Sequence, residues 1–217
     1  MDGRSAARYL PERLSLKSLR EAAAHCRGCD LYKAATQTVF GEGPRRARVM
    51  FVGEQPGDSE DRLGHPFVGP AGRVLHEAMD RAGIALADAY VTNAVKHFKF
   101  ELRGKRRIHK TPKTVELRAC EPWLGAELAV VKPRVLVPLG ATAAKALLGP
   151  KFRLLAGRGR PVAGSTLAAV VIPTVHPSSI LRAPDSAARH RDMGKFVEDL
   201  EAVAAALSND LASTPPP

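Results

Sequence analysis

The stretch Arg48-Val49-Met50-Phe51-Val52-Gly53-Glu54-Gln55-Pro56-Gly57 decides the fold. A short apolar run that ends abruptly in two glycines and a proline reads as a buried strand entering a tight turn. Downstream, Pro70 to Ala82 carries helical spacing at Val74, Leu75, Ala78 and Met79, with Gly83 as a C-cap. A second strand is predicted over Ala89 to Val95. A helix then follows Thr111-Pro112, read as N-cap and first helical position, and stops at Lys132-Pro133. Val135 to Leu139 reads as a third strand, with Pro138 marking its end or an edge. Gly140-Ala141 opens a short helix closed by Gly149-Pro150, Ala169 to Thr174 reads as a fourth strand, and a last helix runs from about 185 to Leu207. Upstream lies a short helix from Leu16 to Ala24. Strands alternating with helices predict an α/β fold with a parallel sheet covered on both faces. The expected organisation is a flexible arm over 1–15, a single domain over 16–207 and a disordered tail over 208–217.

In such sheets ligands bind beyond the carboxyl ends of the strands. Three of the predicted ends carry polar groups: Glu54-Gln55, then Asn93 leading to His97, then His176-Pro177-Ser178. Out of the second end grows Lys96 to Lys113, with eight Lys or Arg against the single acid Glu101. His109 sits there among Lys105, Arg106, Arg107 and Lys110. Read alone, such a run is a solvated surface loop. Beside a cluster of strand-end polar residues it reads as a phosphate-binding loop at a site.

The totals agree. The 217 residues hold 33 Lys and Arg against 22 Asp and Glu, a formal charge of +11, which points to a polyanionic partner. The sequence has no apolar run of spanning length and no signal-peptide core, so the expectation is a cytoplasmic protein without a membrane partner. The three cysteines are Cys26, Cys29 and Cys120. An odd number closes no disulfide framework, and Cys26-Arg27-Gly28-Cys29 suggests metal or redox chemistry. With one histidine the three thiolates make a zinc set or an iron–sulfur set. His25 and His97 both qualify as the fourth ligand, and spacing does not choose between them.

Several motifs occur in order on these elements: Cys26-Arg27-Gly28-Cys29, Val39-Phe40-Gly41-Glu42-Gly43, Gly53-Glu54-Gln55-Pro56-Gly57, Pro66-Phe67-Val68-Gly69-Pro70-Ala71-Gly72, Thr92-Asn93-Ala94-Val95-Lys96, Leu139-Gly140-Ala141-Thr142-Ala143 and His176-Pro177-Ser178. Together they resemble the family 4 uracil-DNA glycosylases, which carry an iron–sulfur cluster, over roughly Leu19 to Leu207. Two departures stand out: Gln55 where that family usually has a small residue, and His97 where it has cysteine. With the inserted Lys105-Arg106-Arg107-Ile108-His109 segment, these resemble the branch called UdgX, whose members stay covalently joined to DNA after excision. The resemblance implies a three-layer α/β/α sandwich around a four-stranded parallel sheet. It also implies a [4Fe-4S] cluster on Cys26, Cys29, His97 and Cys120, with zinc as the alternative. The implied partner is uracil-containing DNA, preferentially single-stranded, acted on by a monomer.

The same resemblance implies roles. An extruded uracil would stack on Phe67 and pair with Asn93, with Gly53 and Ser178 completing the pocket. His176 would hydrogen-bond uracil O2 as charge develops there. Glu54 would stabilise the cationic sugar or take a proton, Gln55 would position a water or the basic loop, and His109 would capture C1′. Lys105, Arg106, Arg107 and Lys110 would hold the flanking phosphates and depress the His109 pKa.

Overall fold

Alternate residues of the first strand, Val49–Gly53, face opposite sides of a sheet and begin two separate cores. The structure is a computed structural model that describes residues 5–208. Its elements in chain order are α1 (Leu16–Ala23), β1 (Val49–Gly53), α2 (Asp58–Leu63), α3 (Pro70–Arg81), β2 (Ala89–Asn93), β3 (Phe100–Arg103), β4 (Arg106–His109), α4 (Thr114–Val131), β5 (Val135–Pro138), α5 (Gly140–Leu148), α6 (Leu154–Gly157), β6 (Val170–Val171), α7 (Pro177–Leu181) and α8 (Ser186–Ser208). Strands β2-β1-β5-β6 form a four-stranded, all-parallel sheet in that order. Val49 and Phe51 pack on one face with Leu75 and Met79 of α3 and Phe196, Leu200 and Val203 of α8. Met50 and Val52 pack on the other with Leu124 and Val131 of α4 and Ala143 of α5. Two covered faces explain why β1 is apolar throughout instead of alternating. The expected three-layer α/β/α sandwich is the observed fold.

A third core stands apart from the sheet. Leu19 and Ala23 of α1, Phe40, and Ala119 and Trp123 of α4 pack around Cys26, Cys29 and Cys120. Ala6, within the stretch expected to be a loose arm, is buried in this cluster, and residues Ala6–Tyr9 form a 3₁₀ turn. The tail expected over 208–217 falls outside the described residues after Ser208.

Four local expectations are corrected. Helix α4 begins at Thr114 with Lys113 as N-cap, not at Thr111, because the Glu116 carboxylate accepts the Lys113 N–H at 2.6 Å and closes the first turn there. Strand β2 stops at Asn93, and the fourth strand shrinks to Val170–Val171 with a bridge from Thr174 to Leu139. The basic run is not a loop: Phe100 pairs with His109 and Arg103 with Arg106, an antiparallel hairpin turned by Gly104-Lys105. Gly104 has φ +60°, the left-handed conformation such two-residue turns require of their first residue.

Candidate active site

The expected convergence at the carboxyl edge of the sheet is present. A pocket of about 860 Å³ is lined by Glu54 and Gln55 after β1, Phe67, Asn93 at the end of β2, His109 at the end of β4, and His176 with Ser178 at the start of α7.

Phe67 sits at the pocket wall with φ +56°, a conformation a bulky side chain adopts only under constraint, at a cost of about 1–3 kcal/mol. Gly72 in the first turn of α3 supplies part of the constraint, since a Cβ there would overlap the Phe67 carbonyl. Gly53 is required for a different reason: a Cβ would collide with Asn93 Oδ1 and the tip of the Phe67 ring. The glycine thus lets ring and amide approach one another. The Phe67 and His176 rings are stacked at 6.3 Å between centroids, 28° apart.

His176 is the N-cap of α7, and its Nδ1 accepts from the Ser178 N–H at 3.2 Å, with Ser178 Oγ at 2.8 Å. A ring nitrogen accepting the backbone N–H carries no proton, so Nε2 carries it and is the donor. Burial, then the charges of Arg182 and His109, push the ring's pKa down to about 4, which keeps it neutral at physiological pH. Arg182 also donates from Nη1 to Ser178 Oγ at 3.0 Å. Ser178 therefore both lines the pocket and fixes the His176 tautomer.

His109 is half-exposed, with Nε2 3.4 Å from Glu54 Oε1. That oxygen is buried and has no hydrogen-bond partner, whereas Oε2 accepts from Thr142 Oγ1 in α5. Burial lowers the His109 pKa, the Glu54 charge opposes this, and Arg182 adds to it. The expected direction holds, but its cause is corrected: burial dominates, and Arg182 is the cation involved. The neighbouring bases have other employment. Arg107 is mostly buried, pairing with Asp58 and with Asp61 at 2.6 Å, and lies over the Phe98 and Phe100 rings. Its expected phosphate contact gives way to a role in docking the hairpin on α2. Lys110 pairs with Glu101 at 2.9 Å. Lys105 and Arg106 remain exposed at the turn.

Gln55 resolves between its two expected roles in favour of the loop. Its Nε2 donates to the carbonyls of Lys99 and Lys110, and its Oε1 accepts the Lys99 N–H, each at 3.1 Å. One buried amide thus ties both roots of the hairpin. Lys96 also leaves the basic face entirely: fully buried, its Nζ lies 2.5 Å from Glu127 Oε2 and 2.7 Å from both Thr92 Oγ1 and the Asn93 carbonyl. Sequence reasoning missed Thr142, Arg182, Asp58 and Asp61. Glu54 and Arg107, the partners of Thr142 and of the two aspartates, lie far away along the chain, whereas Arg182 sits one helical turn beyond Ser178.

Cys26, Cys29 and Cys120 are all free thiols and all buried. Cys26 Sγ accepts from Trp123 Nε1 and Cys120 Sγ from the Lys96 N–H, each at 3.2 Å. Burial raises the pKa of Cys29 and pushes that of Cys120 up to about 12. Of the two candidate histidines, His97 is buried and His25 exposed. Thr38 Oγ1 gives its one proton to the Ala23 carbonyl at 2.9 Å and stands 3.0 Å from His97 Nε2, so it can only accept there. Nε2 therefore carries the imidazole proton and Nδ1 the lone pair. Burial pulls this ring's pKa down to about 4. Among the described residues, no three His, Cys, Asp or Glu side chains converge as the shell of a single metal ion.

The family described as the Uracil DNA glycosylase superfamily matches residues 40–201. A type-4 uracil-DNA glycosylase of Pyrobaculum aerophilum is 37% identical over 196 residues, 86% of this chain and 92% of its own length. One from Thermotoga maritima is 38% identical over 178 residues, 80% of this chain and 86% of its own. A third, from Sulfurisphaera tokodaii, is 31% identical over 178 residues, 79% of this chain and 78% of its own. No helix among the described residues is long and apolar enough to cross a membrane. By the matched span and the similarity to these relatives, the chain belongs to the uracil DNA glycosylase superfamily.

Proposed function

We propose that this protein excises uracil from DNA and is then held as a covalent adduct between His109 and C1′ of the sugar left behind. The observation that carries the reading is the orphaned Glu54 Oε1, buried in the pocket and facing His109 Nε2 at 3.4 Å. A buried carboxylate oxygen without a donor is a proton acceptor awaiting one.

The chemistry starts with an extruded uracil lying against Phe67, with the Asn93 amide at its N3–H and O4 edge. As the C1′–N1 bond stretches, its electron pair moves into the uracil ring. The Nε2–H of neutral His176 hydrogen-bonds the O2 where that charge collects, an effect worth about 3–4 kcal/mol of barrier in comparable oxyanion sites. Glu54 stabilises the cationic sugar. The lone pair of neutral His109 then bonds C1′ before water does. The proton on its other nitrogen passes to Glu54, which leaves a neutral N-alkyl imidazole. That product is a poor leaving group, and the link persists. Gln55 holds the hairpin that carries His109, and Lys105 and Arg106 meet flanking phosphates.

Cys26, Cys29, Cys120 and His97 would hold a [4Fe-4S] cluster. The fit rests on the donor set itself: three buried free thiols, N–H donors at two of the sulfurs, and a histidine whose Nδ1 lone pair is left free by Thr38. When bound, the cluster would supply a rigid tie between α4 and the segment leading into the hairpin. Excision needs no electron from it.

A turnover reading has its own support: the curated relatives that match over most of this chain are named type-4 uracil-DNA glycosylases. In that reading Glu54 activates a water and His109 only contacts the sugar. Incubation with single-stranded uracil oligonucleotide, followed by a denaturing gel and mass spectrometry, separates the two. The adduct reading expects a heat- and detergent-resistant band, at most one event per protein, absent with thymine and absent in His109→Ala. Free uracil in excess over enzyme, without that band, is the turnover outcome. A cross-link that survives in His109→Ala rejects the nucleophile.

A further inference from the structure

Beside the first pocket, and sharing Thr111, Ala141 and Thr142 with it, a second groove of about 520 Å³ runs between α4 and α5. Its walls are aliphatic, formed by Pro112, Leu117, Leu124, Leu128, Leu147 and Leu167. Arg118 on α4 and Lys145 on α5 stand exposed on its two sides, against the single acid Glu121. Gly125 lines it from the middle of α4. A glycine inside a helix costs about 1 kcal/mol relative to alanine. Here the protein's own packing gives no reason for it, because a Cβ at Gly125 would meet nothing within 4 Å. The bare backbone keeps open a space that no part of the described chain fills.

We infer that this groove seats the nucleotide next to the extruded uracil on the same strand, its base over Gly125 and its phosphate near Lys145 and Arg118. The inference rests on the reading of the first pocket as a uracil site. A strand that delivers one base to that pocket must continue across its rim, and the shared residues are that rim. Beyond them the surface has what single-stranded nucleic acid asks of a groove: cations for the backbone and an apolar platform for a base face. Aliphatic walls accept any base, so the site extends the footprint on DNA without demanding a sequence.

The test is single-turnover uracil excision from short single-stranded oligonucleotides. One set has all its bases, one carries a tetrahydrofuran spacer 5′ of the uracil, and one carries it 3′. Wild type is compared with Gly125→Leu, which fills the groove from an unobstructed position, and with Lys145→Glu, whose surface location leaves folding untouched. Thermal melting confirms that each variant is folded. On the fully based oligonucleotide the half-saturating concentration should rise about tenfold in Gly125→Leu, the scale of one lost apolar contact surface. In Lys145→Glu it should rise more at low salt than at high. A spacer on one flank should weaken wild type to the level of Gly125→Leu and abolish the difference between them, and a spacer on the other flank should preserve it. The proposal is overturned if both variants match wild type on the fully based oligonucleotide, or if the penalty is indifferent to which flank is stripped. If wild type releases uracil from none of the three, the reading of the first pocket fails and this one falls with it.

Discussion

At the scale of single residues, His109 and His176 are opposed in use though alike in direction. Both are pushed toward neutrality mainly by burial. In the proposed reaction one must offer a lone pair, the other an N–H. A nucleophile with a lowered pKa stays neutral, and therefore active, below the ordinary histidine midpoint of about 6.5, and is lost only as pH falls through its own value. Adduct formation should therefore hold to lower pH than that midpoint. Arg182→Ala removes a cation that favours the neutral ring, so the acid limb of the rate profile should move up in pH. Glu54→Gln removes the charge that opposes neutrality, so the limb should move down while the rate itself falls by about a hundredfold or more, as for other proton-transfer groups. A rate profile of trapped product against pH, for wild type and both variants, checks the opposite signs. Parallel shifts in one direction would break the electrostatic argument.

At the scale of elements, the hairpin β3–β4 is a small unit attached by side chains. Gln55 bonds its two roots, and Arg107 pairs it to Asp58 and Asp61. Gln55→Ala should leave uracil binding nearly intact and cut the yield of covalent product, with faster amide hydrogen exchange over residues 99–110 as the direct readout. Arg107→Ala should do more damage, because the buried Asp61 carboxylate keeps only the Thr36 N–H. Such a loss costs about 3–5 kcal/mol when one partner of a buried pair is removed. Lys96→Met leaves Glu127 buried without its cation, though Tyr90 and Thr92 still donate to it. Loss on the same scale is expected in chemical denaturation. These elements also mark where sequence reasoning stopped. Phe100-Glu101-Leu102-Arg103, Gly104-Lys105 and Arg106-Arg107-Ile108-His109 form a hairpin signature that the density of charge concealed. Counted by its cations the run promises free charge, yet Lys96, Lys99 and Arg107 each meet a carboxylate within the fold and Lys110 meets one at the surface. Composition counts charges; only the folded chain pairs them.

At the scale of the whole molecule, the sheet was legible because its signal is local: β1 is four apolar residues and a turn, and β5 and β6 each have a proline within two residues. The gathering of Glu54, Asn93 and His176 followed from topology, since parallel strands place their carboxyl ends along one edge. What supports them there did not follow. Thr142 stands within the Leu139–Ala143 motif and Arg182 one turn past His176-Pro177-Ser178, yet neither motif names their contacts with Glu54 and Ser178, and Asp61 lies on a helix with no motif at all. The formal charge of +11 gives a prediction at this scale. With internal pairs discounted, Lys105 and Arg106 are the exposed cations at the tip of the hairpin. Lys105→Ala and Arg106→Ala should each weaken DNA binding uniformly across sequences and reduce the salt slope by about one. Arg107→Ala should leave that slope unchanged. Titrations at several salt concentrations, read by fluorescence anisotropy, distinguish them.

The double attachment of Gln55 also has a mechanical side. His109 is the last residue of β4, and Lys110 beside it is one of the two points that Gln55 grips. Tension applied through a bond at His109 enters the chain at this anchored root, not at the Gly104 tip. The hairpin ladder is therefore loaded last, and the pull runs along the backbone toward α4. Across the anchor, Gln55 shares it with the end of β1, in the middle of the sheet. A machine moving along DNA and meeting this protein would be hauling on the centre of the domain, the part that yields least, rather than peeling a surface flap.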